Sequence, residues 1–230
     1  MHMKKLAAPR TWPIKRRDQT FMTSPLPGGK FELGMPLNVI FKEMLGYAAT
    51  SKEVKRVLNT KNVLVSGSRV KEPRFLVGLF DTIAIDETSS YHRIVLNDKG
   101  KIEAVQIKKE ESNVKLSKVI GKAMLRKKRI QLNLSDGRNM IIEKDTYKTG
   151  DTLMISLPDN AIKKHVKLDK NAMIFLTGGK HIGETGIVQG ISKDKITYKS
   201  GNGEVIETMK SHAFAIGEEK PLISINQMKH

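Results

Sequence analysis

The stretch from residue 36 to residue 71 limits the possible folds most, because it combines two helical patterns with a strand. Apolar residues recur every three or four positions over residues 37–48, which predicts an amphipathic helix. Thr50 and Glu53 have the spacing of a capping box, which predicts that a second helix begins there. A short strand over residues 63–65 and a turn at Ser66-Gly67-Ser68 follow. The pattern contains no arrangement of side chains typical of catalysis.

The exposed positions of this stretch are basic. Glu53 and Glu72 are the only acids between Ser51 and Phe75. Two interpretations remain open, a solvated helix face and a surface that neutralises the phosphates of a nucleic acid. The second interpretation predicts RNA contacts at Lys52, Lys55, Arg56, Arg69, Lys71 and Arg74.

The helix–helix–strand order, with LVSGSRVKEP after the second helix, resembles the S4 RNA-binding domain. That domain is shared by ribosomal proteins, pseudouridine synthases and some aminoacyl-tRNA synthetases. The resemblance therefore implies RNA binding but leaves the host protein open.

The composition favours several small modules and an anionic partner. The chain has 230 residues, of which 39% are hydrophobic but only 5% aromatic, and its formal net charge is +17. Such a charge repels itself unless an anionic partner balances it. We expect no membrane contact, because the sequence has neither a long apolar run nor a basic helix with a bulky apolar face. It has no cysteine and no apolar stretch after the basic N-terminus, so we predict no disulfide, no thiolate metal site and no signal peptide.

Residues 1–36 are predicted to form a basic N-terminal arm without regular structure. The arm either stays disordered or becomes ordered along RNA. Trp12, the only tryptophan, either stacks on a base or folds back onto the body. Removing residues 1–17 is predicted to leave the melting temperature nearly unchanged but to weaken RNA affinity. The arm's predicted RNA contacts are Lys4, Lys5, Arg10, Trp12, Lys15, Arg16 and Arg17.

The segment KKLAAPRTW in this arm resembles the opening of the S4e family of small-subunit ribosomal proteins of archaea and eukaryotes. In that family a basic arm precedes an S4 domain, a central β domain and a C-terminal module, which matches the order of patterns in this chain. The short tail favours an archaeal member.

From Leu79 onward the patterns are those of strands. Hairpins are predicted around residues 97–100 and around Ser135-Asp136-Gly137. Between Val114 and Ile130 there are seven basic residues and no acid. The densest charge stands at the start of the second hairpin and is predicted to contact phosphates through Arg126, Lys127, Lys128 and Arg129.

Residues 172–210 resemble a KOW motif, a small β-barrel element of ribosomal proteins and transcription elongation factors. An apolar strand at 173–176 is followed by a glycine-rich loop and by Gly186-Ile187-Val188. The resemblance implies RNA contacts at Lys180 and His181. The alternative is that the glycines only form turns, and for Gly186 we favour that account.

The sequence therefore predicts an α+β fold that is mostly β, built from three small modules. The predicted boundaries are an arm at 1–36, an S4 RNA-binding domain at 37–95, a central β domain at 96–170, a KOW domain at 171–215 and a tail at 216–230, of which residues 226–230 should be loose.

Enzyme motifs are missing from the sequence. Lys180 is followed by His181 instead of Ser or Thr, which excludes a P-loop, and there is no G-x-S-x-G nucleophile elbow. The six histidines are scattered, so we predict no catalytic residue, no metal site and no cofactor.

The predicted function is that of a structural constituent of the small ribosomal subunit, acting in translation in the cytoplasm. Its predicted partners are small-subunit ribosomal RNA and neighbouring ribosomal proteins, without a small-molecule substrate, and off the ribosome the chain should be a monomer. The alternatives are an RNA-modifying enzyme with an appended S4 domain and a KOW-type transcription factor.

Overall fold

The computed structural model describes residues 2–126, 129–201, 203–218 and 220–225. The chain divides into two compact units, the first ending at Asn113 and the second spanning Val114–Ile225. Strands dominate both units, so the prediction of a mostly β fold with few helices is confirmed.

In the first unit, the residues that the structure describes form three antiparallel sheets. A five-stranded sheet has the order β5-β4-β7-β8-β9, and the pairs β1–β2 and β3–β6 form the two small sheets. The strands are β1 (His2–Lys4), β2 (Phe21–Thr23), β3 (Met35–Pro36), β4 (Val63–Val65), β5 (Ser68–Arg69), β6 (Leu76–Val77), β7 (Thr82–Ile85), β8 (Ser90–Leu96) and β9 (Ile102–Gln106).

The α-helices in the described part of this unit are α1 (Leu37–Val39), α2 (Ser51–Thr60) and α3 (Lys109–Ser112). Short 3-10 helices lie at Lys5–Ala7, Phe31–Leu33 and Asp86–Thr88. The first predicted helix is shorter than its apolar pattern, because α1 continues only as a π-helical turn over Ile40–Met44. Gly46 then takes a φ of +64°, a conformation that L side chains rarely adopt, and the helical path ends there.

The N-terminal arm is folded, which contradicts the expectation of an arm without regular structure. Strand β1 pairs with β2, and Met3 lies opposite Met22. The Trp12 side chain is completely buried, and its Nε1–H donates to the Gly34 carbonyl at 2.8 Å. The backbone N–H of Ile102 donates to the Thr11 carbonyl at 2.7 Å, which ties the arm to β9. These contacts satisfy the indole donor of Trp12 and the carbonyl acceptor of Thr11.

The described residues of the second unit form two five-stranded antiparallel sheets, of orders β12-β11-β10-β13-β14 and β18-β17-β16-β15-β19. The strands are β10 (Val114–Met124), β11 (Ile130–Leu134), β12 (Asn139–Ile142), β13 (Thr152–Ser156), β14 (Ile162–Val166), β15 (Met173–Leu176), β16 (Thr185–Ile191), β17 (Lys195–Ser200), β18 (Val205–Met209) and β19 (Ala213–Gly217). The first of these sheets buries a core that includes Leu132 and Leu153. The second sheet packs around another core, which also takes in Val166 of β14.

Two of the predicted domain boundaries fall inside strands. A boundary between residues 95 and 96 cuts β8 and separates it from β9, although the two strands pair from His92–Gln106 to Leu96–Ile102. The compact unit therefore continues to Asn113. A tail beginning at residue 216 would cut β19, and Ile216, Ile223 and Ile225 are all buried. Residues 226–230, expected to be loose, lie outside the described residues.

Among the described residues, no helix combines the length and the apolar character that crossing a membrane would require.

Candidate nucleic-acid interface

Helix α2 presents basic side chains to solvent because its apolar residues face the core. Val54 and Leu58 are completely buried, whereas Lys52, Lys55 and Arg56 are exposed. The predicted capping box is present, since Thr50 Oγ1 accepts from the Glu53 N–H at 3.3 Å and Glu53 accepts from the Thr50 N–H.

Glu53 does not neutralise the basic face of α2. Its carboxylate accepts hydrogen bonds from the backbone N–H of Ala49 at 2.8 Å and of Thr50 at 3.3 Å. These bonds, with that of the Thr50 side chain, hold the pKa of Glu53 below its usual value. Because the acid serves the helix N-terminus, the exposed face keeps a net positive charge.

The turn that follows β4 is held by a buried carboxylate. Asp81 is 7% exposed, and its Oδ1 accepts from the Ser66 hydroxyl at 2.5 Å while its Oδ2 accepts from the Gly78 N–H at 2.6 Å. Ser66 has a φ of +46° and Gly67 a φ of +78°, so the turn reverses the chain tightly. Asp81 therefore fixes the turn that leads into Arg69.

Three basic residues follow this turn. Arg69 and Lys71 are exposed, and Arg69 lies on β5 opposite Leu64 of β4. Arg74 is half-buried, and its Nε donates to the Ser24 carbonyl at 3.1 Å. The first unit thus offers five exposed basic side chains on α2, β5 and the segment after it, and a sixth that is anchored to the backbone.

The arm divides its basic residues between surface and interior. Lys4, Arg10, Lys15 and Arg17 are exposed. Lys5 is only 4% exposed, and its ammonium lies 2.5 Å from Asp18, a contact that holds the pKa of Asp18 below its usual value. The structure therefore contradicts Lys5 as a phosphate contact. It contradicts base stacking by Trp12 as well, because the indole is buried and packs 5.4 Å from the ring of Phe31.

Arg16 is also committed to the arm itself. Its guanidinium donates to the carbonyls of Ala8 at 2.9 Å and Pro9 at 2.7 Å. A phosphate contact at Arg16 would have to share a guanidinium that already holds the arm's backbone in place.

The basic stretch 114–130 also divides into internal and exposed charges. Lys115 is 2% exposed and lies 2.9 Å from Asp136, which Arg138 approaches at 3.5 Å. Burial would raise the pKa of Asp136, but attraction and hydrogen bonding from Lys115, with help from Arg138, hold it below its usual value.

Two further lysines of β10 also have partners within the chain. Lys118 donates to the carbonyls of Lys210, Ser211 and Ala213. Lys122 pairs with Asp145.

The exposed charge of this stretch stands at the end of the β10–β11 hairpin. Arg126 and Arg129 are exposed, and the Leu125 N–H donates to the Arg129 carbonyl at 2.8 Å, so the hairpin is closed up to these residues. Lys127 and Lys128, which belong to the same predicted site, lie outside the described residues.

The loop between β15 and β16 presents a third basic position. Lys180 is exposed, while His181 is half-buried and its Nδ1 lies 3.0 Å from Glu184 Oε1. Gly186, interpreted as a turn glycine, in fact lies within β16. A Cβ there would come within 2.4 Å of the Tyr198 ring, so glycine is needed for close packing between strands. The turn interpretation of Gly186 is therefore wrong.

Within the described parts of the chain, no three side chains of His, Asp or Glu come together as ligands for a metal ion. The acids described above are used as a helix cap, as a turn clamp and in ion pairs.

Comparisons with known proteins identify the family of this chain. The model of the family described as "Ribosomal family S4e" matches residues 88–162, and that of the "RS4NT (NUC023) domain" matches residues 1–29. The chain is 36% identical over 239 residues to the small ribosomal subunit protein eS4 of Methanococcus aeolicus, with 97% of both chains covered. It is also 36% identical over 238 residues to eS4 of Methanocaldococcus jannaschii, again with 97% of both chains covered.

A solved structure also matches the chain and belongs to the same family. The crystal structure of the 30S ribosomal protein S4e from Thermoplasma acidophilum superimposes with a TM-score of 0.70 at 31% identity, covering 81% of this chain and 96% of that one. These relatives are all ribosomal proteins, and the exposed basic surfaces described above suit that class. Within that class, this chain belongs to the S4e family, which is a family of ribosomal proteins and not of enzymes.

Proposed function

We propose that this chain is a structural constituent of the small ribosomal subunit, where it binds ribosomal RNA and contacts neighbouring ribosomal proteins. The observation that carries the proposal is the match to eS4 proteins along 97% of the chain. The family-wide match predicts a place on cytoplasmic ribosomes and a role in translation.

The proposed mechanism is electrostatic and geometric. Exposed Lys and Arg side chains neutralise RNA phosphates and release counterions, while the sheets hold those side chains at fixed separations. The described residues that remain candidates because they are exposed are Lys4, Arg10, Lys15, Arg17, Lys52, Lys55, Arg56, Arg69, Lys71, Arg126, Arg129 and Lys180. Arg16, Arg74 and His181 are secondary candidates, since each already has a hydrogen-bond partner within the chain.

We further propose that the chain uses three small modules. The helix α2, the turn clamped by Asp81 and strand β5 would act as an S4-type RNA-binding surface. The sheet β10–β14 would form the central domain. The sheet β15–β19, with its loop at Lys180 and the glycine packed on Tyr198, has the features expected of a KOW domain. Off the ribosome we expect a monomer without a small-molecule substrate.

The test is sedimentation of native cell extract through a sucrose gradient, with the protein detected by antibody. We expect it to travel with the small subunit and to stay there through a moderate salt wash. A protein that remained at the top of the gradient would contradict the proposal.

The two alternatives have distinct outcomes in the same cells. An RNA-modifying enzyme with an S4 domain would turn over RNA bases, and a KOW transcription factor would co-purify with RNA polymerase instead of ribosomes. The family membership disfavours both alternatives, because the relatives that match along 97% of their length are named as small ribosomal subunit proteins.

A further inference from the structure

The second half of β10, together with β11 and β12, forms a three-stranded ribbon with two unlike faces. One face buries Leu132 and Leu134 in the core. The other face carries two cross-strand rows, because side chains alternate along each strand. The rows are Gly121–Asn133–Asn139 and Ala123–Gln131–Ile141, and we call these six residues the amide face.

The amide face is polar but uncharged, unlike the basic surfaces described above. It carries three amides, two small residues and Ile141, which is 58% exposed. An uncharged face cannot bind phosphates by ion pairing. What it offers a partner is hydrogen-bonding groups and close approach.

Two of the amides are held in place by each other. Gln131 Nε2 donates to Asn133 Oδ1 at 2.8 Å, and both side chains are half-buried. The bond leaves the Gln131 carbonyl oxygen as an acceptor and the Asn133 amide group as a donor toward solvent. Because both side chains are already ordered, a partner would not have to immobilise them on binding.

The neighbouring positions keep these amides accessible. A Cβ added at Gly121 would lie 3.8 Å from Asn133 Nδ2, so a larger residue there would extend over the amide. Ala123, opposite Gln131, is also small. The two amides therefore have no bulky cross-strand neighbour on β10.

The hydrogen-bonding groups of this surface suit the minor groove of an RNA duplex. That groove is wide and shallow, and it displays 2′-hydroxyls, each of which donates and accepts a hydrogen bond. The phosphates lie at its rim. Arg126 follows Ala123 by three residues, so its backbone lies within about 10 Å of the amide face at an extended rise of about 3.3 Å per residue. Arg126 and Arg129 are therefore placed to contact phosphates when the amide face contacts the groove.

We propose that the amide face is a binding site for the minor groove of double-stranded RNA and that Gln131 and Asn133 hydrogen-bond to its 2′-hydroxyls. The inference rests on the proposed function, since it names the RNA feature that one surface of the protein contacts.

The test compares two matched duplexes. The double variant Gln131→Leu/Asn133→Leu removes both amides and leaves apolar side chains of comparable length. The control is Gln189→Leu, which removes an exposed amide from β16 in the same unit. Dissociation constants are measured for an RNA duplex of about 20 base pairs and for the DNA duplex of the same sequence, over a series of salt concentrations.

We expect the double variant to bind the RNA duplex roughly 10- to 50-fold more weakly, at roughly 3- to 7-fold for each hydrogen bond removed. The salt slope should not change, because no charge is removed. Binding to DNA should not change either, because DNA lacks the 2′-hydroxyl. A second variant, Gly121→Leu, should produce the same selective loss by covering Asn133, and it keeps the test valid if the double variant fails to fold.

Several results would overturn the inference. The first is a double variant that binds RNA as tightly as the Gln189→Leu control, and the second is an equal loss of its affinity for RNA and for DNA. The third is normal RNA binding by the double variant combined with poor incorporation into small subunits. The last result would assign the amide face to a neighbouring protein. These outcomes differ from failure of the proposed function, in which the unmodified protein would neither bind RNA nor sediment with the small subunit.

Discussion

Helix α2 and strand β10 carry basic residues at similar density in the sequence, yet the two elements use them differently. On α2, Lys52, Lys55 and Arg56 are all exposed. On β10, Lys115 pairs with Asp136 in the interior and Lys118 binds backbone carbonyls. The charges of α2 are available to a partner, whereas those of β10 hold the second unit together.

The difference comes from the geometry of the two elements. A helix with a narrow apolar stripe leaves most of its positions at the surface, so consecutive basic residues point outward together. A strand between two others alternates its side chains between two faces and lies close to neighbours on both. A lysine on β10 therefore has to find an acid or a carbonyl nearby, as Lys115 does.

The largest difference in stability between variants of the two elements should come from breaking the buried Lys115–Asp136 ion pair. Lys115→Met leaves the Asp136 carboxylate buried without its main partner, and we expect the free energy of unfolding to fall by about 3 to 5 kcal/mol. Chemical denaturation measures this loss. Lys55→Met on α2 is the matched control and should change stability by less than about 0.5 kcal/mol. Equal losses for the two variants would contradict the division into internal and exposed charges.

The arm extends the comparison, because it mixes both kinds of residue. Trp12 is fully buried and hydrogen-bonded to Gly34, so Trp12→Ala should cost about 3 kcal/mol or more of stability. For the same reason, removing residues 1–17 should lower the melting temperature, contrary to the expectation from the sequence alone. Arg17→Gln, at an exposed position of the arm, should leave the melting temperature unchanged. A truncated protein with the original melting temperature would show that the arm does not pack in solution.

For RNA binding we expect the reverse order, in which substitutions on α2 have a larger effect than substitutions on β10. Replacing Lys52, Lys55 and Arg56 together by Gln should lower the slope of log affinity against log salt by about 0.7 to 0.9 for each phosphate that is no longer neutralised, with little change in stability. The slope is measured by titrating ribosomal RNA at several salt concentrations. Lys122→Gln in β10 is the control, since Lys122 already pairs with Asp145. An unchanged slope for the triple variant would mean that this face of α2 only faces solvent.

The end of the β10–β11 hairpin tests whether basic residues behave like those of α2 once the chain leaves the sheet. Arg126→Gln/Arg129→Gln should lower the salt slope by up to about 1.8, which corresponds to two phosphates, because both side chains are exposed. The same titration measures it. A loss of stability with no change in slope would place these arginines with Lys115 instead of with α2.

The smallest expected effect is a fall in the melting temperature at mildly acidic pH. Burial lowers the pKa of His92, so its stabilising contribution is fully present above about pH 6.5 and is lost as pH falls from there toward the lowered pKa. Asp136 also has a lowered pKa, and its contribution is lost only as pH falls below its ordinary value of 3.8. Between pH 7 and 5 the melting temperature should therefore fall for the unmodified protein and fall less for His92→Gln. Equal declines in both proteins would exclude His92 as the cause.

Much of the local structure followed from the sequence because its signals are local. The capping box at Thr50 and Glu53, the strand at Met173–Leu176 and the hairpin at β11–β12 all depend on residues within a few positions of one another. The resemblance to the S4e family could be recognised for the same reason, since KKLAAPRTW is a run of consecutive residues. The long strand β10 was missed because its register shifts between Val119 and Gly121, which interrupts the alternation of apolar and polar residues.

Local patterns in the chain were enough to establish the family, the mostly β class and the abundance of positive charge. Which of those charges face solvent became clear only from the packing of the strands. Lys5 and Lys115 look like surface residues in the sequence, but each meets a carboxylate that is distant along the chain, Asp18 in one case and Asp136 in the other. Whether a lysine binds a phosphate or an internal acid depends on which strands lie beside it, and strand pairing brings together residues that no local pattern connects.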